Sequence, residues 1–211
     1  MAQQVTIDAA VLAAVDFADV APHIEWNDSA KRFLVAEAGR EPYRLIACLA
    51  AVLKDSDRAM VDIGTYMGTS ALALALDAHQ PVVTYDVFDW VASKAPPVAQ
   101  TVKTRANVTA KVMDCRTSSE LNNVLKTAPL IVLDIDPHDG IEERAIMADL
   151  EHVGYSGVVV TDDIHLNQSM ETFWAGVAGN HKVDATALGH WSGTGLVYYD
   201  GATADSIRLM C

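Results

Sequence analysis

The feature that most constrains the fold is a regular alternation, from about residue 41 onward, of short apolar strands with stretches of helical periodicity. The strands are rich in β-branched residues and lack polar alternation, which indicates burial on both faces. They are predicted at Met60–Ile63, Val82–Tyr85, Val108–Val112, Leu130–Leu133 and Val158–Thr161. Because right-handed crossovers through helices place such strands side by side in one direction, we expect an α/β fold with a doubly wound parallel sheet.

Helices are predicted between these strands and after the last of them. They cover Thr69–Ala78, a segment around Val98–Arg105, Ser118–Lys126, Ile141–His152 and Gln168–Val177. A final pair of strands, about Asp184–Leu188 and Gly195–Tyr199, has no helix between its members. This pair predicts a hairpin that closes the sheet with one antiparallel strand.

The segment before residue 41 has a different pattern. Its helix-period apolar positions are interrupted by Pro22, which predicts two short helices lying outside the sheet. A further helix is expected from Glu41 to about Lys54, with Pro42 in its first turn. We therefore expect a helical cap or arm over residues 1–40 and the main domain over residues 41–211. The arm is also the surface through which we would expect a homodimer.

Charge and composition exclude several classes of partner. With 15 basic and 28 acidic residues, the formal net charge of −13 repels phosphate backbones and anionic headgroups, so neither nucleic acid nor a membrane surface is an expected partner. No apolar run approaches the roughly 20 residues of a membrane span, and the N-terminus has no signal-peptide pattern, so a cytoplasmic location is expected. The three cysteines are scattered and predict neither a disulfide framework nor a zinc site.

A glycine-containing loop follows the first predicted strand. The segment runs from Asp62 through Gly64 and Gly68 to Ser70, and ligands of such sheets bind at the carboxyl ends of the strands. A tight turn with a capped helix would explain the glycines alone, but a carboxylate at the end of a buried strand needs a partner. The G-x-x-x-G spacing lacks the middle glycine of the dinucleotide fingerprint, so a nicotinamide dinucleotide is disfavoured. Phosphate-loop and nucleophile-elbow motifs are absent from the sequence.

Two more carboxylates follow the second and third predicted strands. Asp86 lies about 20 residues beyond the glycine loop, the spacing of a carboxylate that accepts both ribose hydroxyls. The alternative for Asp86 is a solvated residue at a strand end. Asp114 could accept a hydrogen bond from an adenine amino group, or could cap the helix predicted at Ser118.

The fourth and fifth predicted strands end in further acidic residues. Adjacent parallel strands lie about 5 Å apart, so Asp134 and either Asp162 or Asp163 are expected to converge. Carboxylates at that separation repel one another, and their oxygens suit Mg²⁺, Mn²⁺ or Ca²⁺. The alternative is that each aspartate caps a helix and binds water. His138 and His165 lie beside these carboxylates and are candidate general bases, although ordinary loop histidines are the simpler interpretation.

Taken in order, these segments resemble the class I S-adenosylmethionine-dependent methyltransferases over about Glu41 to Tyr199. Among them they are similar to the small-molecule O-methyltransferases of the catechol, caffeoyl-CoA and macrolide-sugar types. The segments that carry the resemblance are DIGTYMGTSALALAL, TYDVFDW, VMDC, LIVLDIDPHDG and GVVVTDDIH. The resemblance implies a Rossmann-like, doubly wound sheet of seven strands with the last strand antiparallel, in agreement with the predicted hairpin.

The resemblance also implies roles for individual residues. The methionine part of the cofactor would be held by Asp62, Gly64, Thr65, Gly68 and Ser70. Asp86 would bind the ribose hydroxyls and Asp114 would lie beside the adenine. The positions of the family's metal ligands are taken by Asp134, Asp162 and Asp163.

At two positions this chain departs from the family pattern, which limits the residue roles that the resemblance implies. Asp163 stands where the catechol type often has asparagine, which keeps an oxygen donor and adds a negative charge. Where that type has a catalytic lysine, this chain has Pro137 beside His138, so the lysine mechanism does not transfer.

The resemblance implies transfer of a methyl group from S-adenosylmethionine to an oxygen of a small molecule. A divalent cation, Mg²⁺ or Mn²⁺, would assist, with Asp134 among the ligands and His138 or His165 as proton acceptor. The acceptor pocket is expected from His190, Trp191 and Trp90, together with residues of the N-terminal arm. The alternatives are a metal-dependent lyase or hydroxylase, a nucleotide-dependent oxidoreductase, or a non-catalytic cofactor-binding protein on the same scaffold.

Overall fold

The computed structural model describes residues 4–24, 28–89, 105–178 and 181–210. The strands in this part of the chain are β1 (Val5–Asp8), β2 (Met60–Ile63), β3 (Val82–Asp86), β4 (Val108–Val112), β5 (Leu130–Leu133), β6 (Val158–Asp162), β7 (Lys182–Asp184), β8 (Thr194–Tyr198) and β9 (Ile207–Met210). The helices are α1 (Ala9–Ala13), α2 (Asp28–Leu34), α3 (Tyr43–Val52), α4 (Thr69–Leu74), α5 (Ser118–Asn123), α6 (Ile141–His152), α7 (Gln168–Gly176) and α8 (Gly201–Ser206). Two 3₁₀ turns cover Ala21–Ile24 and Leu125–Thr127.

Seven strands form one sheet in the order β4-β3-β2-β5-β6-β8-β7. All neighbouring pairs are parallel except those of β8, which runs antiparallel to β6 and β7. The predicted fold class is therefore confirmed, including the antiparallel last strand of the sheet. Buried apolar side chains pack on both faces of the sheet and form two hydrophobic clusters.

Some predicted details of the elements were wrong. The prediction that every strand is buried on both faces fails for β4, where Thr109, Ala110 and Val112 are exposed, because β4 is an edge strand. Of the helices, α4 ends at Leu74, and α5 gives way to a 3₁₀ turn before Lys126. The first strand of the hairpin, β7, covers Lys182–Asp184, whereas the sequence predicted it at about Asp184–Leu188. The helix expected around residues 98–105 falls almost wholly outside the described residues.

The N-terminal segment is held against the rest of the chain by strand pairing and by apolar packing. The two short helices expected there, α1 and α2, are present and lie outside the seven-stranded sheet. The sequence did not predict that β1 pairs in parallel with β9, from the far end of the chain. Apolar side chains of this segment, including Leu12 and Leu34, belong to the same hydrophobic cluster as those of α3.

Arg44, in the first turn of α3, contacts the N-terminal segment through backbone carbonyls. Its guanidinium donates to Leu12, Ala13 and Val15 and to two carbonyls just beyond the end of α2, with N···O distances of 2.8–3.4 Å. Carbonyls at helix ends have no intrahelical donor left for them. One side chain therefore holds the ends of both helices against α3.

The strand order reverses between β2 and β5, which are neighbours although β3 and β4 intervene in sequence. A crevice opens at the carboxyl ends of strands at such a point, and ligands of open α/β sheets bind there. None of the helices in the described part of the chain is long and apolar enough to cross a membrane.

Candidate functional site

A cavity of about 910 Å³ lies at the point where the strand order reverses. Its walls come from the segments after β2, β3, β4, β5 and β6, from residues beside α3 and from the loop before β8. The volume falls within the usual range for small-molecule sites.

The glycine loop after β2 forms part of this wall. Gly64, Thr65 and Ser70 line the cavity, whereas Asp62 and Gly68 do not. Gly64 has φ +101°, and a Cβ there would lie 1.6 Å from the carbonyl oxygen of Asp134 in the neighbouring strand end. Gly68 has φ +72° and directly precedes α4. Both glycines therefore hold backbone conformations that other residues adopt only with strain.

Asp62 is fully buried and is connected to the glycine loop by hydrogen bonds through Thr84 and Thr65. The Thr84 hydroxyl lies 2.6 Å from Asp62 Oδ2 and 2.6 Å from the Thr65 hydroxyl. Burial raises the pKa of Asp62 to about 6, although the hydrogen bond from Thr84 lowers it. Asp62 Oδ1 is buried without a hydrogen-bond partner in the described structure. The arrangement assigns Asp62 to holding Thr65 in place rather than to lining the cavity.

Asp86 and Asp114 both line the cavity, as the ribose and adenine assignments require. Asp86 accepts hydrogen bonds from the backbone N–H groups of Tyr66, at 3.2 Å, and Phe88, at 2.9 Å. Asp114 accepts one from the backbone of Arg116 at 2.8 Å. The residue at the N-cap position of α5 is Thr117, so Asp114 does not serve as the helix cap.

The three carboxylates at the ends of β5 and β6 also line the cavity, but they form two overlapping groups rather than one. Asp134, His138 and Asp163 place one potential ligand atom each within 4.8 Å of one another, and so do Asp162, Asp163 and His190. Each group contains a histidine, and Asp163, with φ +60°, is shared. The sequence predicted the aspartates but not the part taken by His190.

The pKa values of the three aspartates in these groups are shifted from their usual range. Enclosure by the protein raises the pKa of Asp134 well above its usual range, and the charges of Asp162 and Asp163 add to this. Burial also raises the pKa of Asp162. Asp163 is the exception, because hydrogen bonds with His190 and Ser192 outweigh its burial and lower its pKa. The surroundings therefore disfavour the ionised forms of Asp134 and Asp162 and favour the ionised form of Asp163.

His190, in the loop before β8, is held by these carboxylates. Its Nδ1 lies 3.1 Å from Asp162 Oδ2 and 3.4 Å from Asp163 Oδ1, and the Ser192 hydroxyl, 2.8 Å from Nδ1, donates to Asp163. Burial alone would lower the pKa of His190, but its hydrogen bonds to the two aspartates raise it to about 10. The imidazolium therefore offsets part of the negative charge.

The two histidines proposed as general bases occupy different places. His138 lines the cavity, with Nε2 3.3 Å from Asp136 Oδ1 and 3.4 Å from Asp163 Oδ2. His165 does not line the cavity, and its Nε2 lies 2.8 Å from Asp184 Oδ2. Of these two histidines, only His138 is therefore placed to exchange a proton with a molecule in the cavity.

Two of the residues expected to form the acceptor pocket line the cavity. His190 and Trp191 line the cavity, and their rings meet edge to face at 5.6 Å, whereas Trp90 lies outside the described residues. Glu41 and Phe33 also line the wall. Phe33 belongs to the N-terminal arm, from which the sequence predicted a contribution without naming a residue, whereas sequence reasoning missed Glu41. No local motif marks them, since their position depends on how the N-terminal segment packs against the sheet.

No family model matches the sequence, and no curated protein matches it. Solved structures do match. A Corynebacterium glutamicum protein is 12% identical to this chain, with a TM-score of 0.61. A Klebsiella pneumoniae protein provisionally named as an O-methyltransferase is 17% identical, with a TM-score of 0.59. Each of these two matches covers 91% of this chain and 94% of the other protein. A Podospora anserina methyltransferase with bound S-adenosylhomocysteine is 16% identical with a TM-score of 0.57, covering 87% of this chain and 88% of the other.

Proposed function

From the premise that this chain has the class I S-adenosylmethionine-dependent methyltransferase fold, we propose that it transfers a methyl group from S-adenosylmethionine to an oxygen of a small molecule. The observation that carries the proposal is that Gly64, Asp86 and Asp114 line the same cavity as Asp134 and His138. The residues proposed for the cofactor and a group able to take up a proton thus line one cavity.

The charge of the wall and the close backbone packing at Gly64 support the proposal. Gly64 brings the backbone of the loop against the end of β5, and a side chain there would not fit. Asp86 and Asp114 present carboxylates that can accept hydrogen bonds from ribose hydroxyls and an adenine amino group. The cofactor would supply a methyl group already activated by its positively charged sulfur, a charge that the acidic wall favours.

The donor set at the ends of β5 and β6 fits a divalent cation. Asp134, Asp162 and Asp163 supply carboxylate oxygens, which Mg²⁺ and Mn²⁺ prefer. Burial and the charges of Asp162 and Asp163 raise the pKa of Asp134, and a bound cation would favour its ionised form. A cation bound to these residues would lower the pKa of the acceptor hydroxyl.

His138 is the proton acceptor in this proposal. Its ring lies near Asp136 and Asp163 at the cavity wall, and either carboxylate stabilises an imidazolium after proton uptake. The remaining task of the protein is alignment of donor and acceptor, which rigid strand-end residues are suited to supply.

The experiment that tests the proposal is a methyl-transfer assay. The purified protein is incubated with S-adenosylmethionine, Mg²⁺ and a panel of small phenols and alcohols, and formation of S-adenosylhomocysteine and of methylated product is followed by mass spectrometry. We expect equal amounts of both with at least one acceptor, and slower turnover in His138→Ala than in His165→Ala. Binding of S-adenosylmethionine without product from any acceptor would favour a non-catalytic cofactor-binding protein instead.

A further inference from the structure

A second cavity, of about 300 Å³, lies apart from the proposed site of methyl transfer, and no described residue lines both cavities. Its walls come from β7, β8, β9 and α8, and from the residues that directly precede β1 and β7. The volume is at the lower end of the range for small-molecule sites. The cavity therefore has room for a small ligand.

The charge of this second cavity differs from that of the whole chain. Among the described residues, its wall carries three basic side chains, His181, Lys182 and Arg208, and one acidic side chain, Asp205. The chain as a whole has a formal net charge of −13. Because such a charge repels anions from most of the surface, a local excess of basic groups marks a place where an anion can bind.

Two of the three basic side chains have no partner of their own. Neither Arg208 nor His181 makes a side-chain hydrogen bond or an ion pair within the described part of the chain. Lys182, in contrast, donates to the carbonyl of Trp174 at 2.7 Å, and its ammonium group lies over the Trp174 ring. Arg208 and His181 are therefore the side-chain cations that a ligand in this cavity can use.

Tyr198, from β8, adds a neutral hydrogen-bond donor to the same wall. The residue is only 6% exposed, and burial raises the pKa of its hydroxyl to about 12, so the hydroxyl stays protonated at neutral pH. No acceptor for this hydroxyl is found among the described residues, although the atom is not fully enclosed. Nearly buried hydroxyls usually have a hydrogen-bond partner. An oxygen atom of a ligand in the cavity would supply one.

The edge of β7 supplies a backbone donor. The carbonyl of His181 and the N–H of Ala185 both bond to β8, at Tyr198 and Thr194. In an antiparallel pair, alternate residues direct their backbone groups toward the partner strand. Lys182, one position beyond His181, therefore directs its N–H away from β8. Because β7 is the last strand of the seven-stranded sheet, this N–H faces no further strand of that sheet.

We propose that the second cavity binds a phosphate group through the Arg208 guanidinium, the Tyr198 hydroxyl and the Lys182 backbone N–H. The acceptor oxygens of a phosphate are arranged tetrahedrally, so they can meet donors from β7, β8 and β9 at once. His181 adds to the attraction when it is protonated, whereas the charge of Asp205 opposes it. Inorganic phosphate and a phosphate monoester present the same group. The site is independent of the proposed methyltransferase function.

The test is a calorimetric titration of the wild type with inorganic phosphate and, separately, with glycerol 3-phosphate, in a buffer free of other oxyanions. We expect about one equivalent to bind. Tighter binding of the inorganic ion would identify free phosphate as the ligand, and tighter binding of glycerol 3-phosphate would identify a phosphorylated small molecule.

Four variants locate the site. Arg208→Gln should bind the tighter of the two probes at least about fivefold more weakly, and Tyr198→Phe, which keeps the ring, at least about threefold more weakly. Asp205→Asn should bind it at least about twofold more tightly, because an opposing charge is removed. The matched control is Arg32→Gln, which removes a positive charge outside this cavity, where the hydrogen bonds of Arg32 stay within α2. Its affinity should equal that of the wild type.

Three results would overturn the proposal. The first is no detectable binding of either probe by the folded wild type. The second is an equal loss of affinity in Arg208→Gln and Arg32→Gln, which would indicate general attraction by positive charge. The third is unchanged affinity in both Arg208→Gln and Tyr198→Phe, which would place the bound phosphate elsewhere on the protein.

Discussion

Gly64 and Asp134 approach each other so closely that a Cβ on Gly64 would lie 1.6 Å from the Asp134 carbonyl oxygen. The contact joins the ends of β2 and β5, the two strands between which the sheet reverses its order. It also places the glycine loop directly beside Asp134, one of the carboxylates that line the cavity.

Gly64→Ala should therefore disrupt the site. We expect it to lower the free energy of unfolding by on the order of 3 kcal/mol, because the carbonyl belongs to the backbone of a buried strand end and cannot give way. Gly176→Ala is the control, since a Cβ at Gly176, the last residue of α7, would meet no atom within 4 Å. Denaturant unfolding of both variants checks this. Equal stability of Gly64→Ala and wild type would contradict the packing described here.

The sequence predicted the sheet well because its strands carry a strong local pattern. Met60–Ile63 and Leu130–Leu133 are apolar runs with acidic residues at or just after their ends, so both the strand and the position of its functional end could be predicted. The pairing of β1 with β9 could not, because two strands of four residues at opposite ends of the chain carry no local sign that they pair.

The same limit applies to the histidines. His138 and His165 each follow a strand-end aspartate closely in sequence, yet only His138 of these two lies on the cavity wall. His190 lies 28 positions from Asp162 in the chain, and its contact with that carboxylate is set by the pairing of β8 with β6. Sequence neighbourhood therefore predicted one histidine of the site and missed the role of another.

Asp62 should give the protein a specific pH dependence. Its pKa is about 6 in the folded protein against 3.8 for a free aspartate side chain, so the folded chain holds a proton that the unfolded chain releases. The stability from this group is present at low pH and is lost as the pH rises from about 4 through about 6, by about 3 kcal/mol.

Other buried carboxyl groups also have raised pKa values and contribute to the pH dependence in the same direction. Comparing the wild type with Asp62→Asn removes their contribution and isolates that of Asp62. Unfolding free energies are measured between about pH 4 and 7.5 in the presence of a chelator. The two curves should diverge across this range, with the wild type losing more stability as the pH rises. Parallel curves would show that Asp62 is not buried as described.

Arg44→Ala should loosen the N-terminal segment selectively. The guanidinium donates to five backbone carbonyls of that segment, and partial exposure limits the expected loss to about 2 kcal/mol. Hydrogen exchange should show amides of α1 losing protection while those of β5 keep it. Arg32→Ala is the control, because the hydrogen bonds of Arg32 stay within α2. Equal loss of protection in α1 and β5 would contradict the anchoring role of Arg44.

A divalent cation should bind the carboxylates of the cavity. We expect Mg²⁺ or Mn²⁺ to raise the melting temperature of the wild type, because the cation relieves repulsion between Asp134, Asp162 and Asp163. Asp162→Ala should abolish the rise, whereas Asp136→Asn should keep it, since Asp136 belongs to neither group of potential ligands. Excess chelator should stop methyl transfer and leave cofactor binding intact. Full activity in excess chelator would exclude the metal.

The most direct test of the central claim is a calorimetric titration of the wild type with S-adenosylhomocysteine, in parallel with Asp86→Ala and with Asp57→Ala, whose position lies away from the cavity wall. The account predicts about one equivalent bound by the wild type and by Asp57→Ala. It predicts at least about tenfold weaker binding by Asp86→Ala, because hydrogen bonds from ribose to a carboxylate are worth on the order of 1.5 to 3 kcal/mol. No binding of S-adenosylhomocysteine by the folded wild type, together with tight binding of NADH, would contradict it.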